Sequence, residues 1–225
     1  MTSTRMLFAV LAAALLLAAI YAAGSRGLAD TSYYSARRAM AQWIAEKRVP
    51  QDAEWQAART ALERAASLAP ANPLYTEELG RLLESRAARS DRADPATRKL
   101  LEESRAQFRR AVAMRPGSPY AWSSLALVKF RLNEMDYEFY GALERAARYG
   151  PWEPAVQLAL ADIGLAGWRW LALPGKLVVL GALERGLLRE GKEIDRLAAV
   201  HRARPALCAD ALARVRRLPG LCPLT

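Results

Sequence analysis

Residues 6–23, MLFAVLAAALLLAAIYAA, carry no charge. As an α-helix they span roughly 27 Å, close to the ~30 Å hydrocarbon core of a bilayer. No face of that helix is polar, which argues against a buried helix of a soluble domain. Arg5 precedes the run and Gly24-Ser25-Arg26-Gly27 follows it. A single membrane anchor fits the length best. A cleaved signal peptide is the alternative, because Ala22 and Gly24 place small residues before Ser25. Apolar cores of signal peptides usually run only about 7–15 residues.

Beyond Gly24 the pattern changes to helical periodicity, rich in Ala, Leu, Arg and Glu, all good helix formers. Breaks fall at Pro50, Pro70/Pro73, Pro95, Pro116/Gly117/Pro119, Gly150/Pro151/Pro154, Pro174/Gly175, Pro205 and Pro219. One spacing recurs: Ala58, Leu62, Ala65, Pro70; then Ser104, Phe108, Ala111, Pro116; then Phe139, Leu143, Ala146, Pro151. Each set steps by 4, 3 and 5, and 9 residues after each Pro stands Leu with a small neighbour: Leu79-Gly80, Leu125-Ala126 and Leu160-Ala161. Steps of four and three share one helical face, and small residues there let a second helix approach closely. The Pro stops the helix, and the Leu–small pair packs the next one back. A single hairpin of this kind cannot bury its face, so neighbours must stack.

This pattern resembles the tetratricopeptide repeat, whose period is about 34 residues. Pro116 to Pro151 is 35 residues, while Pro70 to Pro116 is 46, the excess being placed in a polar hairpin loop over 86–97. The resemblance covers 31–171. It implies an all-α chain: an N-terminal transmembrane helix over 1–25, a solenoid of antiparallel helix hairpins over 31–171, and a helical C-terminal cap over 172–225. Within that cap, helices are expected over 177–190, 194–203 and 206–217.

The central stretch has a narrower likeness. Pro119-Tyr120-Ala121-Trp122, Leu125-Ala126-Leu127-Val128-Lys129 and Gly150-Pro151-Trp152-Glu153-Pro154-Ala155-Val156-Gln157 resemble the VpsP family of bacterial exopolysaccharide-cluster proteins. That resemblance implies an accessory role in polysaccharide biosynthesis or export, with no catalytic residue. The partners it implies are protein subunits of a polysaccharide or envelope machine at the bacterial inner membrane.

Charge and chemistry add detail. The chain has 33 Lys+Arg against 23 Asp+Glu, a net charge of +10. Such a balance attracts anionic lipid, acidic polymer or nucleic acid, and a membrane anchor argues against nucleic acid. A basic tail of Arg202, Arg204, Arg214, Arg216 and Arg217 is one candidate binding surface, and Trp168-Arg169-Trp170, whose indoles could stack on sugar rings, is another. Their bland alternatives are an exposed cap and core packing. His201 has no orienting carboxylate at helical spacing, since Asp195 is 6 positions away. One His and two Cys are too few for a Cys/His zinc site, so neither metal nor cofactor is expected. Motifs of common hydrolases, nucleotide binders and metalloproteases are absent, which favours a non-enzymatic scaffold. Direct binding of anionic polysaccharide and an unrelated envelope-assembly role are the alternatives. An unrecognised sugar hydrolase or lyase would need two inward carboxylates.

Cys208 and Cys222 are either a disulfide in an oxidising compartment or two unpaired thiols. Counting Arg26, Arg37 and Arg38 after the apolar run favours a cytoplasmic domain. The short basic N-terminus and the even Cys pair favour export, the orientation expected here.

Overall fold

The computed structural model describes residues 2–91, 93–216, 218 and 220–222, the side chains of 2–4 and 214–216 excepted. Among these the regular structure is entirely helical: α1 (Thr2–Ala45), α2 (Asp52–Leu68), α3 (Pro73–Ala87), α4 (Pro95–Met114), α5 (Pro119–Arg131), α6 (Tyr137–Tyr149), α7 (Pro154–Gly167), α8 (Leu173–Val200), α9 (Arg204–Ala209) and α10 (Ala211–Arg216). The chain divides into two compact units, 1–82 and 83–225.

In the first unit α1 is one helix of 44 residues, about 66 Å long at 1.5 Å per residue. It passes through Gly24-Ser25-Arg26-Gly27 without a break, so the boundary expected at residue 25 does not interrupt the backbone. What changes there is packing. Ala29, Tyr33, Ala36 and Trp43 are buried, facing Trp55, Ala58, Leu62 and Ala65 of α2, which runs back antiparallel. Arg48 closes the turn, its guanidinium donating to Glu54 at 2.7 and 2.9 Å. Glu54 also accepts from the backbone N–H of Gln51 and so caps α2. The first half of α1 has no such partner: Leu15 is 72% exposed, and Met6, Phe8, Leu16, Leu17 and Ile20 are exposed as well. This is the one helix among the described residues long and apolar enough to cross a membrane.

The recurring Pro motif has a structural counterpart. Ala69, Arg115 and Gly150 each end a helix with φ/ψ of −139/72, −137/76 and −130/53, and each donates its N–H to the carbonyl four residues back. The following Pro explains the conformation, because its ring excludes helical angles from the residue before it. Three residues on, Asn72, Ser118 and Glu153 donate back to the carbonyls of Ala69, Arg115 and Gly150 at 3.1, 3.0 and 3.3 Å. Pro73, Pro119 and Pro154 then open the next helices, where a missing N–H costs nothing.

Tryptophan and glutamine share one role in this turn. Trp122 donates its Nε1–H to the carbonyl of Pro116 at 2.6 Å, and Gln157 donates its Nε2–H to that of Pro151 at 2.7 Å. Gln157 departs from the aromatic pattern in sequence yet keeps its hydrogen bond.

In the second unit α5 packs against α4, α6 and α7, and α8 packs against α6 and α7. The α5–α6 hairpin is antiparallel: Phe130 stacks on Phe139 at one end, and Gly150 meets Pro119 at the other. Gly164 faces Val179 and Gln157 faces Gly186, so α7 and α8 are antiparallel too. That pairing makes the start of α8 the hairpin partner of α7. The expected loop over 86–97 is shorter, at 88–94. Asp94 caps α4 by accepting from the N–H of Ala96, and most of the excess residues extend α4 to 20. α8 bends at Glu190, with φ/ψ of −122/31, and Ile194 folds back onto Gly186.

After α9 the expected helix over 206–217 is broken at Asp210. Its carboxylate accepts from Lys176 Nζ at 2.9 Å and from Trp168 Nε1 at 3.2 Å, and its other oxygen accepts from the N–H of Leu212 at 3.0 Å. Cys208 and Cys222 are bonded, with Cα atoms 5.5 Å apart. Leu207, Leu218 and Leu221 are buried around them. Closing a loop of this length contributes about 3 kcal/mol in the chain-entropy view. Cys208→Ser with Cys222→Ser is therefore expected to lower the thermal midpoint and to increase proteolysis after 203, read by mass spectrometry of the fragments.

Candidate functional site

The residues singled out in sequence do not assemble into one site. Trp168 is 3% exposed, its ring under Lys176 at 5.1 Å and its N–H on Asp210. Its ring is packed within the second unit and does not line an open surface. Trp170 is 66% exposed and Arg169 is exposed beside it, so the two indoles do not form a clamp. Arg202 is exposed, with φ of 49 just past α8. Arg204 is held by Asp195 at 3.0 Å, and Arg196 by Glu193 at 2.5 Å, so part of the tail's charge is neutralised locally. Arg214 and Arg216 lie on α10 with side chains outside the described set, and Arg217 lies outside the described residues altogether.

A different arrangement crosses successive helices of the second unit. Glu84 of α3 pairs with Arg131 at the end of α5. Asp162 of α7 acts electrostatically on Arg131 and on Arg196. His201, which ends α8, places Nε2 2.6 Å from Asp162 Oδ1. Burial pushes the Arg131 guanidinium below its usual value, opposed by Asp162. The row alternates acid, base, acid, base, with each partner on a different element. No local spacing reveals it, because Asp162 and His201 are 39 residues apart. The Asp162 carboxylate holds the His201 imidazole in place. The other ring nitrogen makes no hydrogen bond among the described residues, and those residues contain no group of three potential metal ligands.

A second cluster centres on Lys129 of α5, whose side chain is 0% exposed. Its ammonium donates to Glu138 at 2.7 Å, Asp136 at 2.9 Å and Glu134 at 3.2 Å. Arg109 of α4 forks onto Glu138 at 2.8 and 2.5 Å, and Arg105 pairs with Glu134. Burial works against the charge on Lys129, but the three carboxylates outweigh it and raise its pKa. Arg109, then Lys129, hold Glu138 down to about 2 against an ordinary 4.5. Carboxylates lowered in the fold stabilise it above their ordinary range and lose that contribution on acidification. The thermal midpoint is therefore expected to fall as pH drops from about 4.5 towards 2. Glu138→Gln should flatten that fall in a pH series of melting curves.

Between α6 and the start of α8 lies a groove of about 310 Å³. Tyr137, Tyr140 and Tyr149 wall it, with Arg145 and Arg148 on its rim. Tyr140 is fixed by accepting from the N–H of Ala172 at 3.0 Å, whereas Tyr137 is 89% exposed. Glu144 holds Arg148 at 2.8 Å, and Arg145 lies 4.7 Å over the Trp122 ring. Rings beside guanidinium groups suit a flat, acidic ligand. Sequence inspection missed this groove because its two halves lie on separate helices. No protein-family model matches the chain, and no curated protein matches it.

Proposed function

We propose that this chain is a non-enzymatic, membrane-anchored scaffold of tetratricopeptide-like hairpins, accessory to exopolysaccharide biosynthesis or export in the bacterial inner membrane. It works through protein–protein contacts. The observation that carries the reading is the repeated turn at Ala69–Pro73, Arg115–Pro119 and Gly150–Pro154, with one cap conformation each time. Packing of α5 on α7 and of α6 on α8 supports the repeat reading, since stacked hairpins place every second helix side by side. Such stacks display one row of side chains per helix, and the row from Glu84 to His201 is the surface assigned to the partner.

The apolar half of α1 supports the anchor. It exposes ten large apolar side chains between Met6 and Tyr21. Each favours an apolar environment by roughly 1.5–3 kcal/mol, which only a bilayer or an equally apolar partner can supply. The Cys208–Cys222 bond supports placing the domain on the oxidising side. Affinity capture of the full chain from solubilised membranes tests the function. Recovery of polymerase, export or modifying subunits, lost in Arg131→Ala, is expected. Recovery of ribosomes or DNA alone would sink the reading.

A second reading, direct binding of anionic polysaccharide, is favoured by the groove of Tyr137, Tyr140 and Tyr149 with Arg145 and Arg148. Calorimetry with purified acidic polysaccharide should then give heat that Tyr149→Ala with Arg148→Ala abolishes. Absence of heat from the unaltered protein removes it.

A further inference from the structure

We propose that the cleft between α1 and the α2–α3 turn is a phospholipid headgroup site, selective for phosphoethanolamine. The proposal rests on the anchor reading above and adds a ligand to it. The cleft, about 500 Å³, is lined on one side by Ala22, Ser25, Arg26 and Asp30, and on the other by the turn from Leu68 to Pro73. Its position along α1 is the first argument. The charge-free run ends at Ala23. At 1.5 Å per residue, Arg26 lies about 4–5 Å beyond that end and Asp30 about 10 Å beyond it. The headgroup layer is about 5–7 Å thick on each side of the hydrocarbon, so Arg26 lies within it and Asp30 just beyond its water-facing edge.

The order of charges is the second argument. Arg26 and Asp30 are four residues apart and share a helical face. Both line the cleft, yet they make no ion pair with each other among the described residues. Asp30 accepts from Tyr75 Oη at 2.5 Å through Oδ1, which fixes the carboxylate and leaves Oδ2 without a partner among the described residues. Arg26 has no hydrogen-bond or ion-pair partner among them. A cation at the inner level with a carboxylate one turn further out matches phosphoethanolamine, whose phosphate is next to the acyl chains and whose ammonium points to water. A choline headgroup offers no N–H to Asp30, and a glycerol headgroup offers no positive charge. The turn behind the site is framed by Pro70 and Pro73, and so is stiff.

The test uses the full chain in mild-detergent micelles, with dioleoyl phosphatidylethanolamine, phosphatidylcholine and phosphatidylglycerol added separately. Lipid retention is read by native mass spectrometry. Phosphatidylethanolamine should be retained about three- to fivefold over the other two, the discrimination one exposed charge pair can supply. Asp30→Asn keeps an oxygen for Tyr75 and should erase the preference over phosphatidylglycerol. Arg26→Gln should lower retention of both. Equal retention of all three lipids, or a preference unchanged in both variants, would overturn the site. Soluble phosphoethanolamine at matched concentration should not displace the lipid; equal displacement would reassign the cleft to a free phosphate ester. Carbonate extraction of native membranes separates the two levels. Release of the chain defeats the anchor and the site together, whereas a retained chain without headgroup preference defeats the site alone.

Discussion

Replacing Lys129 by Met is expected to destabilise the protein by about 2–3 kcal/mol, the largest effect of any single charge removal here. Orphaning a fully buried charge costs about 3–5 kcal/mol, and the cost is smaller here because the partners keep contact with water. Glu134, Asp136 and Glu138 are 24%, 56% and 35% exposed, whereas Lys129 has no exposure. Methionine refills the space, so the loss reports on charge. Without the ammonium, three carboxylates sit within one turn and its flanking residues, opposed among the described residues by Arg105 and Arg109. Melting curves at neutral pH should show the deficit, and the deficit should shrink near pH 3 as the carboxylates protonate. A deficit independent of pH would mean that the three carboxylates do not carry the contribution of Lys129.

Gly164→Val is expected to cost about 3 kcal/mol, the upper part of the range for overpacking a close-packed seam. A Cβ at this position would run into the Val179 side chain of α8, and the residue is buried on α7. Gly167 has the same constraint against the Phe130 ring, 2.5–2.8 Å from where its Cβ would sit. Helical backbone would otherwise favour the substitution, since Gly costs about 1 kcal/mol relative to Ala in a helix. Gly164→Ala should therefore be less harmful than Gly164→Val. Combining Gly164→Ala with Val179→Ala should recover more stability than the two single losses predict, as contacting residues couple. Additive losses in denaturant titrations would show that α7 and α8 can part freely at this point.

The helices, their breaks and the repeated buried face were legible in sequence because they depend on neighbours. Ala58, Leu62 and Ala65, like Phe139, Leu143 and Ala146, are buried where spacing places them on one face. The Pro motif was legible for the same reason: Pro restricts the residue before it wherever it occurs. The loop expected over 86–97 narrows to 88–94, because 86–87 complete α3 and 95–97 open α4; Pro95 suits the first turn of a helix as well as it suits a loop. Trp168 was ambiguous because an indole beside an Arg suits both a ligand and a core; its partner Asp210 lies 42 residues away.

The sequence by itself determined the class of this protein: an apolar run long enough for a bilayer, then helices broken at proline turns. Those properties are set by side-chain periodicity and backbone sterics, which act over one or two helical turns. Only the tertiary structure decided which charges meet and which stay free. It joined Asp162 to His201, Lys129 to its three carboxylates, Cys208 to Cys222 and Tyr75 to Asp30, and it left Arg26 without a partner among the described residues. Pairing of this kind depends on which helix packs beside which, and helix packing selects partners by shape across tens of residues rather than by local pattern.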